Sequence, residues 1–212
     1  LRDDFTVNIG DYTKGNANVI IANPNAPTGI CLELSEIEKM LKADKNSLVV
    51  IDEAYVDFGG TSSIELLGDY DNLIVVQTFS KSRQLAGARV GFAISSEKNI
   101  RDLKRIKYSI NPYNVSRVSE AMARGALEDK EYFDKMIQNI IETRTLFTSS
   151  LRKTGFFVLD SSTNFVFARH ADIKGKALYA LLRDRGFLVR HFDTELLTDF
   201  IRISIGKRED MM

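Results

Sequence analysis

Short apolar runs alternate with periodic amphipathic segments over roughly the first hundred residues. Val19-Ile-Ile-Ala22 is an apolar run of strand length that enters a turn-rich stretch, Asn23-Pro-Asn-Ala-Pro-Thr-Gly29. Ile37, Met40 and Leu41 then recur at helical spacing, and Ser35 with Glu38 has the spacing of a capping box, so a helix capped by Ser35 is predicted. Further strands are predicted at 48–51, 73–77 and 89–95, with a short helix around 63–67 after the Gly59-Gly60 break. Such alternation of strand and helix builds a mostly parallel sheet.

From about residue 98 the pattern turns helical, broken by the loop Asn111-Pro-Tyr-Asn114. The longest helix is predicted over 130–152, where Phe133, Met136, Ile137, Ile140, Ile141, Arg144 and Phe147 share a helical period. Beyond Gly155 come strands at 156–159 and 164–168, a helix at 175–184 stopped by Gly186, and strands at 187–191 and 200–205. The fold class is therefore α/β: a mostly parallel-sheet unit over 1–128, then a smaller α/β unit over 129–212 that the long helix opens.

Composition narrows the function classes. With 44% hydrophobic residues, the 212-residue chain can pack one or two cores. Lys and Arg (29) balance Asp and Glu (29), which leaves no basic excess for nucleic acid. The apolar runs are too short to span a bilayer and the first residues show no signal-peptide pattern, so no membrane partner and a cytoplasmic location are expected. The single cysteine, Cys31, fits a reducing compartment and reads as a small hydrophobe after a turn. Only His170 and His191 accompany it, so a zinc-type ligand cluster is not expected, and both histidines read as surface or packing residues.

The chemistry sits at strand ends. Asp52 and Lys81 each close an apolar strand, where ligands bind in open α/β sheets. Spacing alone is also compatible with Asp52 closing a loop and Lys81 pointing to solvent. Arg202 is the other anomaly: a period of two in 200–205 sets Ile201, Ile203 and Ile205 on one face and Phe200, Arg202 and Ser204 on the other, so a guanidinium lies on a strand that is otherwise mostly apolar and needs an anionic partner. That partner is either a structural carboxylate or a ligand.

The local sequences carry a resemblance. Asp52-Glu-Ala-Tyr55, Thr78-Phe-Ser-Lys81, Arg89 eight residues beyond the lysine, and the Pro-Thr-Gly turn ending at Gly29 resemble the fold-type I, pyridoxal-phosphate-dependent aminotransferases in order and spacing. The similarity continues to Arg202-Ile-Ser-Ile-Gly206, and within the family the paired Arg190 and Arg202 look most like the histidinol-phosphate branch. The resemblance implies pyridoxal 5'-phosphate as cofactor, with Lys81 as the cofactor-binding lysine that also moves the substrate proton. Asp52 would hold the pyridine nitrogen, Tyr55 would donate to O3′, and Ser80, Arg89 and Thr78 would hold the phosphate. Arg202, Arg190 and Asn164 would hold the substrate's anionic end, and Glu53 would be a structural or dimer-contact acid. The implied reaction is transamination between histidinol phosphate and 2-oxoglutarate, in a homodimer.

The chain departs from the family pattern at Ala26, where an asparagine usually contacts O3′; either Asn25 takes that part or Tyr55 carries it alone. The resemblance also implies that family members begin well before Leu1, with a glycine-rich phosphate loop and much of the dimer interface, so a fragment with its last helix cut short is expected. Two other readings stand beside this one. One is a different enzyme of the same fold, an aromatic or aspartate aminotransferase or a threonine-phosphate decarboxylase; the other is a structural domain that binds no cofactor.

Overall fold

The computed structural model describes residues 2–14 and 17–211. Strands β1 (Val19–Ala22), β2 (Val49–Asp52) and β3 (Leu73–Thr78) pair in parallel and in chain order, and β4 (Gly91–Ser95) joins β3 antiparallel. Helix α1 (Leu34–Ala43) covers one face: its Ile37, Met40 and Leu41 pack on Val19, Ile21, Val49, Ile51, Leu73 and Val75. The same alternation turns Ile20, Val50 and Asp52 to the opposite face, where Ile20 is 74% exposed. The first unit thus carries Asp52 on its uncovered face.

The starts of α1 and β4 differ from those expected. Helix α1 starts at Leu34 with Glu33 as its N-cap and no side-chain cap bond, which sets Leu34 against the core with Ile37 and Leu41. Ser35 is therefore an exposed first-turn residue, and Glu38 instead accepts a hydrogen bond from Tyr70 Oη (2.6 Å) and pairs with Lys42 (3.0 Å). The apolar stripe outweighs the capping-box spacing. Strand β4 begins at Gly91, not at 89, because Arg89 adopts a left-handed φ of 55° after the 3₁₀ turn Ala86–Ala88. At Gly91 an added Cβ would lie 2.9 Å from the Gln77 carbonyl oxygen, so only glycine permits this strand approach.

Helices α2 (Glu97–Ile110) and α3 (Arg117–Glu128) lead to α4 (Lys130–Lys153), whose N-cap Asp129 accepts from the Tyr132 N–H at 3.2 Å. Next come β5 (Phe156–Val158), β6 (Phe165–His170), α5 (Gly175–Asp184), β7 (Arg190–His191), β8 (Ile201–Ser204) and α6 (Arg208–Met211). The four strands form an antiparallel sheet in the order β5-β6-β8-β7. Its Val158, Val166, Ala168, Ile203 and Ile205 pack on Ile140, Phe147 and Leu151 of α4. The other face carries Phe167 and Phe200, stacked at 4.7 Å. The strand expected over 187–191 shrinks to its last two residues, because Gly186 (φ 85°) turns the chain so that the Phe187 N–H bonds the Leu182 carbonyl and Phe187 and Leu188 face solvent.

Phe5 packs edge-on against Phe167 and Phe200, with ring centroids 5.8 and 5.0 Å away, so this early segment completes the second core, while Ile9 packs in the first. Both histidines are structural: His170 packs edge-on against Phe156 at 4.9 Å and its Nδ1 accepts the Asp172 N–H, and His191 Nε2 lies 2.8 Å from the Thr198 carbonyl. Cys31 is half-buried, and burial pushes its thiol above the usual range. Among the described residues no helix is long and apolar enough to cross a membrane.

Glu53 shows how the end of β2 is held. It is only 2% exposed and accepts hydrogen bonds from Ser62 Oγ (2.7 Å), the Ser63 N–H and Gln77 Nε2 (2.9 Å), joining three segments. Replacing Glu53 by Ala leaves those donors unsatisfied, and urea unfolding is expected to show a loss of about 2–4 kcal/mol. A loss under about 0.5 kcal/mol would mean that the carboxylate does not anchor this end of the sheet.

Candidate functional site

Strands β2 and β3 lie in register, Asp52 opposite Val76, so the segments that follow them leave the sheet side by side. The Glu53 N–H bonds the Val76 carbonyl at 2.8 Å, and the burial of Glu53 on the covered side turns Asp52 outward. One Asp52 oxygen accepts the Ala54 N–H at 3.0 Å, closing the turn; no cation among the described residues pairs with the carboxylate. Beside it Ser82 Oγ donates to Asp57, which ties the Lys81 turn to the turn after Tyr55. The result is Lys81 Nζ 5.3 Å from the centre of the Tyr55 ring, with no carboxylate partner among the described residues.

The hydroxyls and guanidinium expected around a phosphate occupy the same loop. Thr78 Oγ1 and Ser80 Oγ are 3.0 Å apart, and the Ser80 N–H also reaches Thr78 Oγ1 at 3.1 Å. Gln84 (φ 57°) and Arg89 (φ 55°) are both non-glycine residues in the left-handed region, within eight residues of Lys81. Such backbone costs about 1 kcal/mol or more per residue and gathers where a site needs an unusual loop shape. Arg89 Nη1 makes only a 3.3 Å bond to the Ala86 carbonyl, so the guanidinium is free to take an anion.

The second half of the site is built on the antiparallel sheet. Arg190 and Arg202 are direct partners across β7 and β8. Like charges in that position repel, and no carboxylate among the described residues pairs with either. The Arg202 Nε is buried without a hydrogen-bond partner among the described residues. Its guanidinium lies 4.9 Å from the Phe165 ring centre, a diagonal cross-strand contact, and 6.0 Å from Phe192, over which Arg190 also lies at 5.6 Å. Phe165 in turn packs edge-on to Tyr55, with ring centroids 5.2 Å apart. An unbroken chain of contacts thus runs from Lys81 through Tyr55 and Phe165 to Arg202. Asn164, whose carbonyl receives the Ile205 N–H, lines a cleft of about 580 Å³ with Lys81, Phe58 and Thr143.

Asn25 is placed differently. Its side-chain carbonyl accepts the Thr28 hydroxyl at 2.9 Å and its backbone closes the turn with Ile30 and Gly29, while Ala26 is exposed at the tip. The neighbouring Asn23 closes the same loop, bonding both the N–H (2.7 Å) and the carbonyl (3.3 Å) of Leu32. Sequence reasoning missed Phe165, Phe58 and Arg144. An aromatic directly after Asn164 and on the same face as Arg202 was the available signal for Phe165; nothing local marks the other two.

The Arg202–Phe165 contact is open to a double-mutant cycle with Arg202→Met and Phe165→Leu. A coupling of about 0.5–2 kcal/mol in unfolding free energy is expected for a partly desolvated cation over an aromatic ring. Strict additivity of the two losses would rule the contact out.

Known proteins place this geometry. The family model described as aminotransferase class I and II matches residues 3–212. Over 212 residues the chain is 47% identical to the histidinol-phosphate aminotransferase of Brachyspira hyodysenteriae, covering all of this chain and 60% of the relative. It is 52% identical over 202 residues to histidinol-phosphate aminotransferase 2 of Rhizobium meliloti, covering 95% of this chain and 58% of that one. Among solved structures, histidinol-phosphate aminotransferase from Clostridium acetobutylicum superposes with a TM-score of 0.90 at 27% identity, over 99% of this chain and 66% of that one. The enzyme of that name from Sinorhizobium meliloti, solved in complex with pyridoxal-5'-phosphate, gives 0.81 at 30% identity, over 91% of this chain and 54% of that one. The chain spans about 60% of the length of the curated relatives it matches. On this match and on its two-sheet architecture, the chain belongs to the class I and II aminotransferases.

Proposed function

We propose that the protein carrying this chain is a pyridoxal-phosphate-dependent aminotransferase that exchanges an amino group between histidinol phosphate and 2-oxoglutarate in histidine biosynthesis. The observation that carries this reading is the unneutralised pair Arg190 and Arg202, linked by Phe165 and Tyr55 to Lys81. Two guanidiniums suit substrates that present either a phosphate ester or a dicarboxylate. The names of the relatives support the choice of substrate.

The residues present fit the cofactor. Lys81 has no carboxylate partner among the described residues and is reachable from the cleft; the outward Asp52 carboxylate has an oxygen with no hydrogen-bond partner among the described residues; and Ser80, Thr78 and Arg89 offer donors on one loop. Asp52 would keep the ring nitrogen protonated, and Ser80, Thr78 and Arg89 would hold the phosphate. Tyr55 would donate to O3′, and the Asn25 side-chain N–H, on an amide whose carbonyl accepts from Thr28, is the other donor on offer there. When bound, the cofactor supplies an electron sink for the charge left on the substrate carbon as its proton departs. Lys81 would carry that proton between the substrate Cα and the cofactor C4′. Arg202, with Arg190 and Asn164, would hold the anionic end of the substrate so that Cα faces Lys81. A cytoplasmic homodimer belongs to the same reading, and the exposed Ile106, Ile110, Val118 and Met122 of α2 and α3 support association with a second copy.

Incubation with pyridoxal phosphate followed by borohydride reduction and peptide mapping tests the assignment. A single adduct on Lys81, lost in Lys81→Ala, is expected; no adduct, or one spread over surface lysines, would sink it. With cofactor bound, turnover of histidinol phosphate should exceed that of aspartate, and the reverse preference would transfer the protein to another branch of the family.

A further inference from the structure

Helix α4 packs on the antiparallel sheet and against the turn at 56–58, and from it Arg144 reaches a loop beside each sheet. Arg144 Nη1 donates to the Phe58 carbonyl at 2.9 Å and to the Thr163 carbonyl at 2.5 Å, 86 residues away in one direction and 19 in the other. The guanidinium is half-buried, burial holds its pKa below the usual arginine value, and no carboxylate among the described residues pairs with it. A partly buried cation is costly unless dipoles replace its water, and here two backbone carbonyls do so.

One of those carbonyls belongs to a residue that lines the cleft, and the other to the residue just before one that does. Phe58 ends the turn that begins at Tyr55, and it lines the cleft itself. Thr163, fully buried, immediately precedes Asn164, which also lines the cleft, and Phe165, which contacts both Tyr55 and Arg202. A second tie runs beside it: the Ser162 N–H donates to the Gly29 carbonyl at 2.9 Å. Gly29 has a φ of 83°, and an added Cβ there would come within 2.5 Å of Ser161 Oγ, so glycine alone allows this approach.

We propose that Arg144 is a positioning residue that holds the Asn164–Phe165 segment, and with it Arg202, in place against Tyr55 and Lys81. The functional meaning rests on the proposed transamination; the mechanical part does not. Both bonds leave one nitrogen, Nη1, and the lysine ammonium sits one bond nearer the backbone, so Arg144→Lys keeps the charge but falls short of the two carbonyls.

Hydrogen exchange on the protein and its Arg144→Met and Arg144→Lys variants tests the mechanical part. In Arg144→Met, amides at 58–60 and 163–165 are expected to exchange at least about tenfold faster, with strands β1 to β3 unchanged and Arg144→Lys intermediate. Even acceleration along the whole chain, or none at these two segments, overturns the proposal; if the Met variant fails to fold, the Lys variant decides it by the same comparison. With cofactor bound, KM for the amino donor should rise about tenfold while capture of pyridoxal phosphate at Lys81 is unchanged. Capture that falls together with a rising KM would make Arg144 a general structural residue. If the unsubstituted protein captures no cofactor, the transaminase reading falls and the exchange result alone decides the role of Arg144.

Discussion

The edge-to-face contact between Tyr55 and Phe165 is the point at which two separately built sheets become one site. Tyr55 is delivered by the turn after β2, and Phe165 is the first residue of β6. Lys81 lies over one ring and Arg202 over the other, so the path between the amine and the guanidinium runs through two aromatic rings in contact. Aromatic pairs of this geometry contribute about 0.5–1.5 kcal/mol beyond their burial, and they are rigid. In the proposed reaction rigidity would matter more than the energy, because a proton-transferring group must be held within a fraction of an ångström of its target.

The surroundings follow from keeping that contact in place. On the first sheet, strict alternation sends Glu53 inward to three donors and Asp52 outward, so a single strand end supplies both an anchor and a candidate ligand. On the second, the α4 face takes the aliphatic residues and the opposite face takes Phe5, Phe167 and Phe200. That leaves Arg202 among rings rather than beside a carboxylate. Its unpaired Nε, and an arginine directly across the strand pair, are unfavourable for folding alone. That cost is the observation on which the proposed anion site rests.

Much of this is legible in the residues. The strands at 19–22, 49–52 and 73–78 stand out because each is a short apolar run bounded by turn formers, and α4 because its period persists from Phe133 to Phe147. The faces of β8 follow from alternation, so Arg202 is singled out by the sequence itself. What escapes is non-local. The docking of Phe5 on the second sheet, the Arg144 grip on Phe58 and Thr163, and the Tyr55–Phe165 contact all join residues far apart in the chain, and no local period encodes them. The start of α1 departs from the capping-box spacing of Ser35 and Glu38 because burying Leu34 against the core stabilises more than one cap bond would.

The most direct test is whether the two rings touch in solution. Nuclear Overhauser spectra of the protein with selectively labelled tyrosine and phenylalanine should show strong cross-peaks between the Tyr55 and Phe165 ring protons, as a 5.2 Å edge-to-face pair requires. They should persist after pyridoxal phosphate is added. Absence of these cross-peaks in a folded sample would mean that the two halves of the site are not joined here, and the link from Lys81 to Arg202 would be lost.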